Sequence, residues 1–220
     1  MIEDDYHARL KSFLKRVTQQ GYLALYASSL VQKEGPDAIA ADLPQRLGAL
    51  EQHVDPALSV KKNVNMTVSD VRALLPTIPN FIVDLLIVDL EANLHLFLSD
   101  LAGIDRSATA QSFENLLAKV WPRDARTKPD KTNLEQGEHW SYRQVILLSV
   151  IRNAIVHNGG HLDLLRVAAR LRDACWTDDE IRDVVRMRER RIDDLFRFKR
   201  AVRTLANSAL LHVETSAEQR

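Results

Sequence analysis

Residues 81–103 read FIVDLLIVDLEANLHLFLSDLAG, residues 142–158 read YRQVILLSVIRNAIVHN, and these two stretches decide the fold class. A half-buried strand alternates apolar and polar residues along its length, and neither stretch shows this alternation. Both are long enough for several helical turns and are apolar on almost every side, which is typical of helices packed inside a bundle. We therefore expect an all-α protein with the first stretch, helical over residues 80–102, at its centre.

The remaining sequence also follows a helical spacing of apolar residues. Residues 4–32 show steps of three and four and stop at Gly35-Pro36. Ser141 is expected to cap the second apolar helix, and Gly159-Gly160 to end it. Thr177 and Glu180 form a Thr-x-x-Glu capping box that begins a long helix reaching about residue 213. Further helices are expected at residues 44–53, 69–76, 107–121 and 161–176, with a polar loop over residues 122–133.

Residues 54–68 show no regular period and predict a domain boundary. We expect an N-terminal helical extension over residues 1–68 and a main helical domain over residues 69–220, packed together as one globular unit.

Composition excludes several classes of protein. The chain has 220 residues, 45% hydrophobic and 27% charged, which is ordinary globular composition and excludes a mainly disordered chain. Thirty basic residues balance thirty acidic ones, so any site for a polyanion must be local. The single cysteine, Cys175, excludes an internal disulfide framework and is expected to be a small buried residue. The acidic N-terminus and the lack of an apolar run of about 18 residues predict a cytoplasmic protein without membrane segments.

Arg152, Asn153 and His157 carry the functional argument. A histidine in the last turn of a helix transfers protons near neutral pH, an arginine binds phosphate oxygens, and an asparagine orients a substrate. Together they suit cleavage of RNA by its own 2′-hydroxyl, a reaction that requires no metal. In a regular helix, however, Arg152 lies about 140° around the axis from His157. Fraying or a turn at the glycines would be needed to bring all three together.

Arg-Asn-x-x-x-His at the end of a helix, followed by Asn158-Gly159-Gly160, resembles the Arg-x4-6-His signature of the HEPN superfamily. The resemblance implies an all-α bundle that dimerises so that two copies of the motif line one cleft. It also implies, for many members, metal-independent endoribonuclease activity in toxins, often beside a nucleotidyltransferase-like antitoxin, or in phage-defence effectors. Some members add an acidic residue on an earlier helix, for which Glu91 is the best match here.

Several other residues are candidates for RNA binding. Asp84, Glu91 and His95 fall in one narrow stripe of their helix, which either meets satisfied partners or opens onto a polar cleft. We expect His95 and Asn158 to contact RNA beside the hexad, which is the Arg-Asn-x-x-x-His stretch of residues 152–157. Residues 186–203 include eight basic residues and only three acidic ones. Arg186 and Arg190, in this basic stretch, either bind phosphate or belong to a solvated helix face.

Neither a metal nor another cofactor is predicted. His157 and His161 are four residues apart, but the two glycines interrupt the helix between them and no third ligand is evident. The alternative to a ribonuclease is a helical module without catalysis, either a dimerisation or adaptor domain or a sensor that holds a nucleotide in the same cleft.

Overall fold

The structure, a computed structural model, describes residues 2–35, 37–39, 41–42, 68–104, 112–121, 137–187 and 190–218. Every regular element within these ranges is a helix, which confirms the all-α fold class. The α-helices are α1 (Ile2–Glu34), α2 (Val68–Leu74), α3 (Ile78–Leu101), α4 (Phe113–Val120), α5 (Glu138–Asn158), α6 (Leu164–Asp173), α7 (Asp178–Arg186) and α8 (Ile192–Glu218). A 3₁₀ turn, Leu75–Thr77, follows α2. The predicted helix at 44–53 and the predicted loop at 122–133 lie outside the described residues.

The chain divides into two compact units, one formed by Met1–Gly21 with Val83–Arg220 and the other by Tyr22–Ile82. The smaller unit contains α2, and within it Arg72 forms an ion pair with Asp37 at 2.6 Å. The predicted boundary between residues 68 and 69 falls inside this smaller unit. All the predicted site residues belong to the larger unit.

Helix α5 occupies the centre of the larger unit. Its eight consecutive residues 144–151 are all buried, and its most extensive packing is against α8. Helix α3 was expected to take this position, but it buries one face and leaves Leu85 and Leu96 about half exposed, at 52% and 47%. The central helix is therefore the one that carries the hexad.

The C-terminal end of α5 is as predicted. Gly159 adopts a left-handed conformation (φ 58°), which glycine reaches without steric cost, and its N–H donates to the Ala154 carbonyl. The N-terminal end of α5 differs from the prediction, because Gly137 occupies the cap position and Ser141 is buried one turn inside the helix. The predicted Ser141 cap is therefore wrong.

The long helix predicted after Thr177 is interrupted. The capping box is present: Thr177 accepts from the Glu180 N–H, and the Glu180 carboxylate accepts from the Thr177 N–H at 2.8 Å. Yet α7 ends at Arg186, where Met187 turns to extended backbone (φ −65°, ψ 105°). The Asp194 carboxylate then accepts from the Arg191 N–H at 2.9 Å and satisfies a backbone donor at the start of α8. Two helices thus replace the single predicted one.

Cys175 is exposed rather than buried, so that prediction is also wrong. It follows the end of α6 in a left-handed conformation (φ 63°), while its neighbour Ala174 is fully buried. Among the described residues, no helix combines the length and the apolar character needed to cross a membrane.

Candidate functional site

The hexad occupies the last two turns of α5, where two clefts meet. The helix stays regular through Asn158, so Arg152 and His157 lie on different sides of it. Arg152 lines a first cleft of about 500 Å³, and His157 lines a second cleft of about 350 Å³. Only Asn153 and Arg170, of the described residues, line both. The fraying that would bring Arg152 and His157 together is absent from this helix.

The first cleft contains an ion pair between α3 and α5. Arg152 Nε lies 3.5 Å from Glu91 Oε2, and the Glu91 side chain is only 7% exposed. The Arg152 Nη1 group donates to the Asn153 side-chain oxygen at 3.0 Å. Its Nε is buried and makes no hydrogen bond with a described residue. This Nε donor is enclosed beside Glu91, although the Arg152 side chain as a whole remains 31% exposed.

Burial raises the pKa of Glu91 above its ordinary value of 4.5. The positive charge of Arg152, the neighbouring His95 and a hydrogen bond with Ser149 oppose this increase in the pKa but do not cancel it. His95 lies one turn after Glu91 on α3, and its ring packs against Phe113 with 6.0 Å between the ring centroids. A carboxyl group that holds its proton more tightly than usual thus faces an arginine across the cleft.

Arg170 of α6 connects four helices of the larger unit. Its Nε donates to Glu114 of α4 at 2.8 Å, and its Nη2 donates to the same carboxylate oxygen. Nη2 also donates to the Ser149 hydroxyl of α5 at 3.1 Å, and Ser149 in turn contacts Glu91 of α3. The guanidinium is therefore fixed at the junction of the two clefts.

The second cleft is rich in groups that bind anions. His157, Asn158 and His161 line one part of it, and Arg166 and Arg170 of α6 line another. One carboxylate, Asp163, shares the lining and forms a 3.5 Å ion pair with Arg166, whose side chain remains 72% exposed. Asp163 also caps α6 by accepting from the Leu165 N–H at 2.9 Å. His157 and Asn158 thus line the same cleft.

The polar stripe predicted on α3 consists of Asp84, Glu91 and His95, and was expected either to meet satisfied partners or to open onto a polar cleft. Each alternative holds for part of the stripe. Glu91 and His95 open onto the first cleft. Asp84 instead meets Arg190, which donates from Nε and from Nη2 (2.8 Å) to the Asp84 carboxylate. Arg190 Nη1 donates to the Gly160 carbonyl at 3.1 Å.

The structure does not bring Arg186 and Arg190 to the clefts. The Arg190 side chain is only 8% exposed and its guanidinium is occupied by Asp84 and Gly160. Arg186 is 77% exposed at the end of α7 and lies 4.0 Å from Asp183. Neither residue lines either cleft.

Sequence reasoning missed several polar lining residues, among them Arg166, Arg170, Glu114 and Ser149. Arg166 and Arg170 are four residues apart and therefore share a face of α6, which is the one signal that would have indicated them. Glu114 and Ser149 gave no signal, because their roles depend on contacts with Arg170 across 56 and 21 residues of chain.

In the described part of the chain, no group of three or more His, Cys, Asp or Glu side chains is arranged to hold a metal ion. No protein-family model, curated protein or solved structure matches this chain.

Proposed function

We propose that this protein is a HEPN-type endoribonuclease that cleaves RNA through attack of the 2′-hydroxyl on the adjacent phosphate. One observation carries the proposal: Arg152, Asn153 and His157 line two adjoining clefts at the end of one buried helix. The reaction needs a cation for the phosphate, a proton carrier and an orienting group. The hexad supplies one of each.

The chemistry assigns a role to each side chain. A His157 imidazole takes the proton of the 2′-hydroxyl, and the 2′-oxygen forms a bond to phosphorus. The bond from phosphorus to the 5′-oxygen breaks, a proton is returned to that oxygen, and a 2′,3′-cyclic phosphate remains. Arg152 stabilises the charge on the phosphate oxygens while Asn153 orients the group.

Glu91 acts on this site through Arg152. Its carboxyl group is buried and lies 3.5 Å from Arg152 Nε. When the carboxyl is protonated, as its raised pKa favours, it neutralises Arg152 less and leaves more of the positive charge for a phosphate. His95 lies in the same cleft and adds a further contact for RNA.

The proposal includes a homodimer with a composite site. Within one protomer Arg152 and His157 line different clefts, so neither cleft holds the complete set. A two-fold axis beside α5 places two copies of the hexad around one phosphate, with one His157 as base and the other as acid. Leu96 beside His95 and Val156 beside His157 are each 47% exposed and provide apolar surface for such a contact.

As a toxin or phage-defence effector, the protein would be restrained by a partner such as a nucleotidyltransferase-like antitoxin. Expression of the wild type should then slow growth, and the Arg152→Ala or His157→Ala variant should relieve this effect. Equal growth with wild type and both variants favours the adaptor or nucleotide-sensing alternative.

The direct test incubates purified protein with end-labelled RNA and with DNA of the same sequence in excess EDTA. We expect wild type to cut RNA alone and leave 2′,3′-cyclic phosphate ends, and His157→Ala to be inactive with an unchanged helical circular-dichroism spectrum. His139→Ala is the matched control, because His139 lies in the first turn of the same helix. Cleavage by His157→Ala at the wild-type rate contradicts the assignment.

A further inference from the structure

Arg170 is the one charged residue that lines both clefts in the described part of the chain. It belongs to α6, outside the hexad and outside the helix that carries it. Its side chain is 30% exposed, so it is neither fully buried nor free in solvent. A ligand that extends from one cleft into the other must pass Arg170 and Asn153.

The contacts of Arg170 hold one edge of its guanidinium and leave another group available. Glu114 accepts from Nε and Nη2, and Ser149 accepts from Nη2 at 3.1 Å. Nη1 makes no hydrogen bond with a described residue. An arginine that is fixed by one edge loses little conformational entropy when it donates from its free nitrogen to an oxyanion. Glu114 thus orients the arginine as well as offsetting part of its charge.

The size of the clefts indicates what kind of ligand extends across them. Volumes of about 500 and 350 Å³ fall in the range of small-molecule pockets, so each accommodates a group about the size of one nucleotide. Cations lie in both, with Arg152 in the first and Arg166 in the second. Each of these two arginines also pairs with a carboxylate, Arg152 with Glu91 and Arg166 with Asp163. A nucleotide chain that spans both clefts would present a phosphate to an arginine in each.

We propose that Arg170 binds the phosphate next to the scissile one, so that single-stranded RNA passes from the first cleft to the second across Asn153. The identity of the polymer rests on the proposed ribonuclease function, whereas the phosphate contact does not depend on cleavage. Arg170 is a substrate-positioning residue in this arrangement and takes no part in proton transfer.

Salt dependence of binding tests this contact. The logarithm of the binding constant K falls as the logarithm of the salt concentration rises, and each phosphate contact that is lost makes this negative slope less steep. The probe is a fluorescein-labelled single-stranded 2′-O-methyl RNA, whose blocked 2′-oxygens prevent cleavage, and the readout is fluorescence anisotropy between 50 and 200 mM salt. We expect Arg170→Gln to weaken binding about tenfold at low salt and to reduce the magnitude of the slope by about 0.7.

Two further variants separate binding from folding. Arg172→Gln is the matched control, because Arg172 lies on the same helix, pairs with Asp178 at 2.8 Å and lines neither cleft. It should keep the wild-type slope. Arg170→Lys retains the charge but loses the fork held by Glu114, so we expect weaker binding with the wild-type slope. If Arg170→Gln does not fold, the affinity of Arg170→Lys decides: weaker binding than wild type supports a contact made by the oriented guanidinium, and wild-type affinity overturns it.

The outcomes distinguish this inference from the proposed function. An unchanged slope in folded Arg170→Gln, or no salt-dependent binding by wild type, overturns the phosphate contact even if unblocked RNA is cleaved. A reduced slope without cleavage of unblocked RNA supports the contact and rejects the ribonuclease. Equal affinity for a duplex of the same sequence overturns the assignment to single strands.

Discussion

Arg190 and Asp84, 106 residues apart in sequence, form a nearly buried ion pair that also holds the turn after the hexad. Two guanidinium nitrogens donate to the Asp84 carboxylate, and the third donates to the Gly160 carbonyl. Gly160 lies three residues after His157 and one residue before His161, and both histidines line the second cleft. The pair therefore connects α3 to the segment that shapes this cleft.

Removal of Asp84 should destabilise the protein, because it leaves the Arg190 charge in a site where its side chain is only 8% exposed. We expect Asp84→Ala to lower the free energy of unfolding by about 3 kcal/mol, near the lower end of the range for breaking a buried pair. Urea denaturation followed by circular dichroism measures the effect. Asp183→Ala is the control, because Asp183 also pairs with an arginine but is 80% exposed. This substitution should change the free energy of unfolding by no more than about 0.5 kcal/mol. Equal stability of both variants contradicts the structural role of the pair.

The two glycines after α5 should respond differently to alanine. Both have positive φ, 58° at Gly159 and 85° at Gly160, so both substitutions carry a backbone cost of about 1 kcal/mol. A Cβ at Gly159 meets nothing within 4 Å, whereas one at Gly160 lies 2.6 Å from Arg190 Nη2. We expect Gly160→Ala to be the more destabilising by at least about 1 kcal/mol in thermal or urea unfolding.

A double-mutant cycle checks the cause of this difference. The Arg190 guanidinium resists displacement because Asp84 holds it, so Asp84→Ala should reduce the extra cost of Gly160→Ala. Additive effects would indicate that the clash with Arg190 is not responsible.

Stability should depend on pH through Glu91. Burial raises its pKa in the folded protein, so the folded state binds this proton more tightly than the unfolded state. The resulting stabilisation is fully present below the ordinary value of 4.5 and is lost as the pH rises through the elevated folded-state pKa. Glu91→Gln cannot ionise and lacks this dependence. We expect the free energy of unfolding of wild type, relative to Glu91→Gln, to decrease as the pH rises from 4 towards neutrality. An increase over this range would mean that pairing with Arg152 outweighs burial.

The composite site predicts interference between subunits. If two His157 side chains act on one phosphate, a dimer with one His157→Ala subunit is inactive. Refolding wild type together with a ninefold excess of the variant leaves about one wild-type subunit in ten with a wild-type partner. RNA cleavage per wild-type subunit should therefore fall about tenfold. Unchanged cleavage would show that each protomer acts alone.

Local chemistry predicted much of the fold. The capping box at Thr177 and the end of α5 at Gly159-Gly160 were predicted correctly, because caps and left-handed glycines act on backbone groups within a few residues. The apolar spacing likewise indicated α1, α3 and α6. The exact start of α5 was missed, since Ser141 fits a cap by composition but is buried inside the helix.

The arrangement of the site needed contacts between distant parts of the chain. The sequence indicated that Arg152 and His157 lie on different sides of a regular helix, but not that each would line a separate cleft. Arg190 stands in a basic stretch and was expected either to bind phosphate or to belong to a solvated helix face. Its burial depends on the break between α7 and α8 and on a carboxylate of α3.

The sequence by itself determined that the described chain is helical, where α5 ends, and which residues carry the hexad, because these follow from hydrophobic spacing and from backbone groups that are satisfied locally. The tertiary structure decided that α5 is the central helix, that Arg190 pairs with Asp84, and that Arg170 joins the two clefts. Those features depend on which helices pack against one another, and the energies of packing and of buried ion pairs arise between residues far apart in the chain.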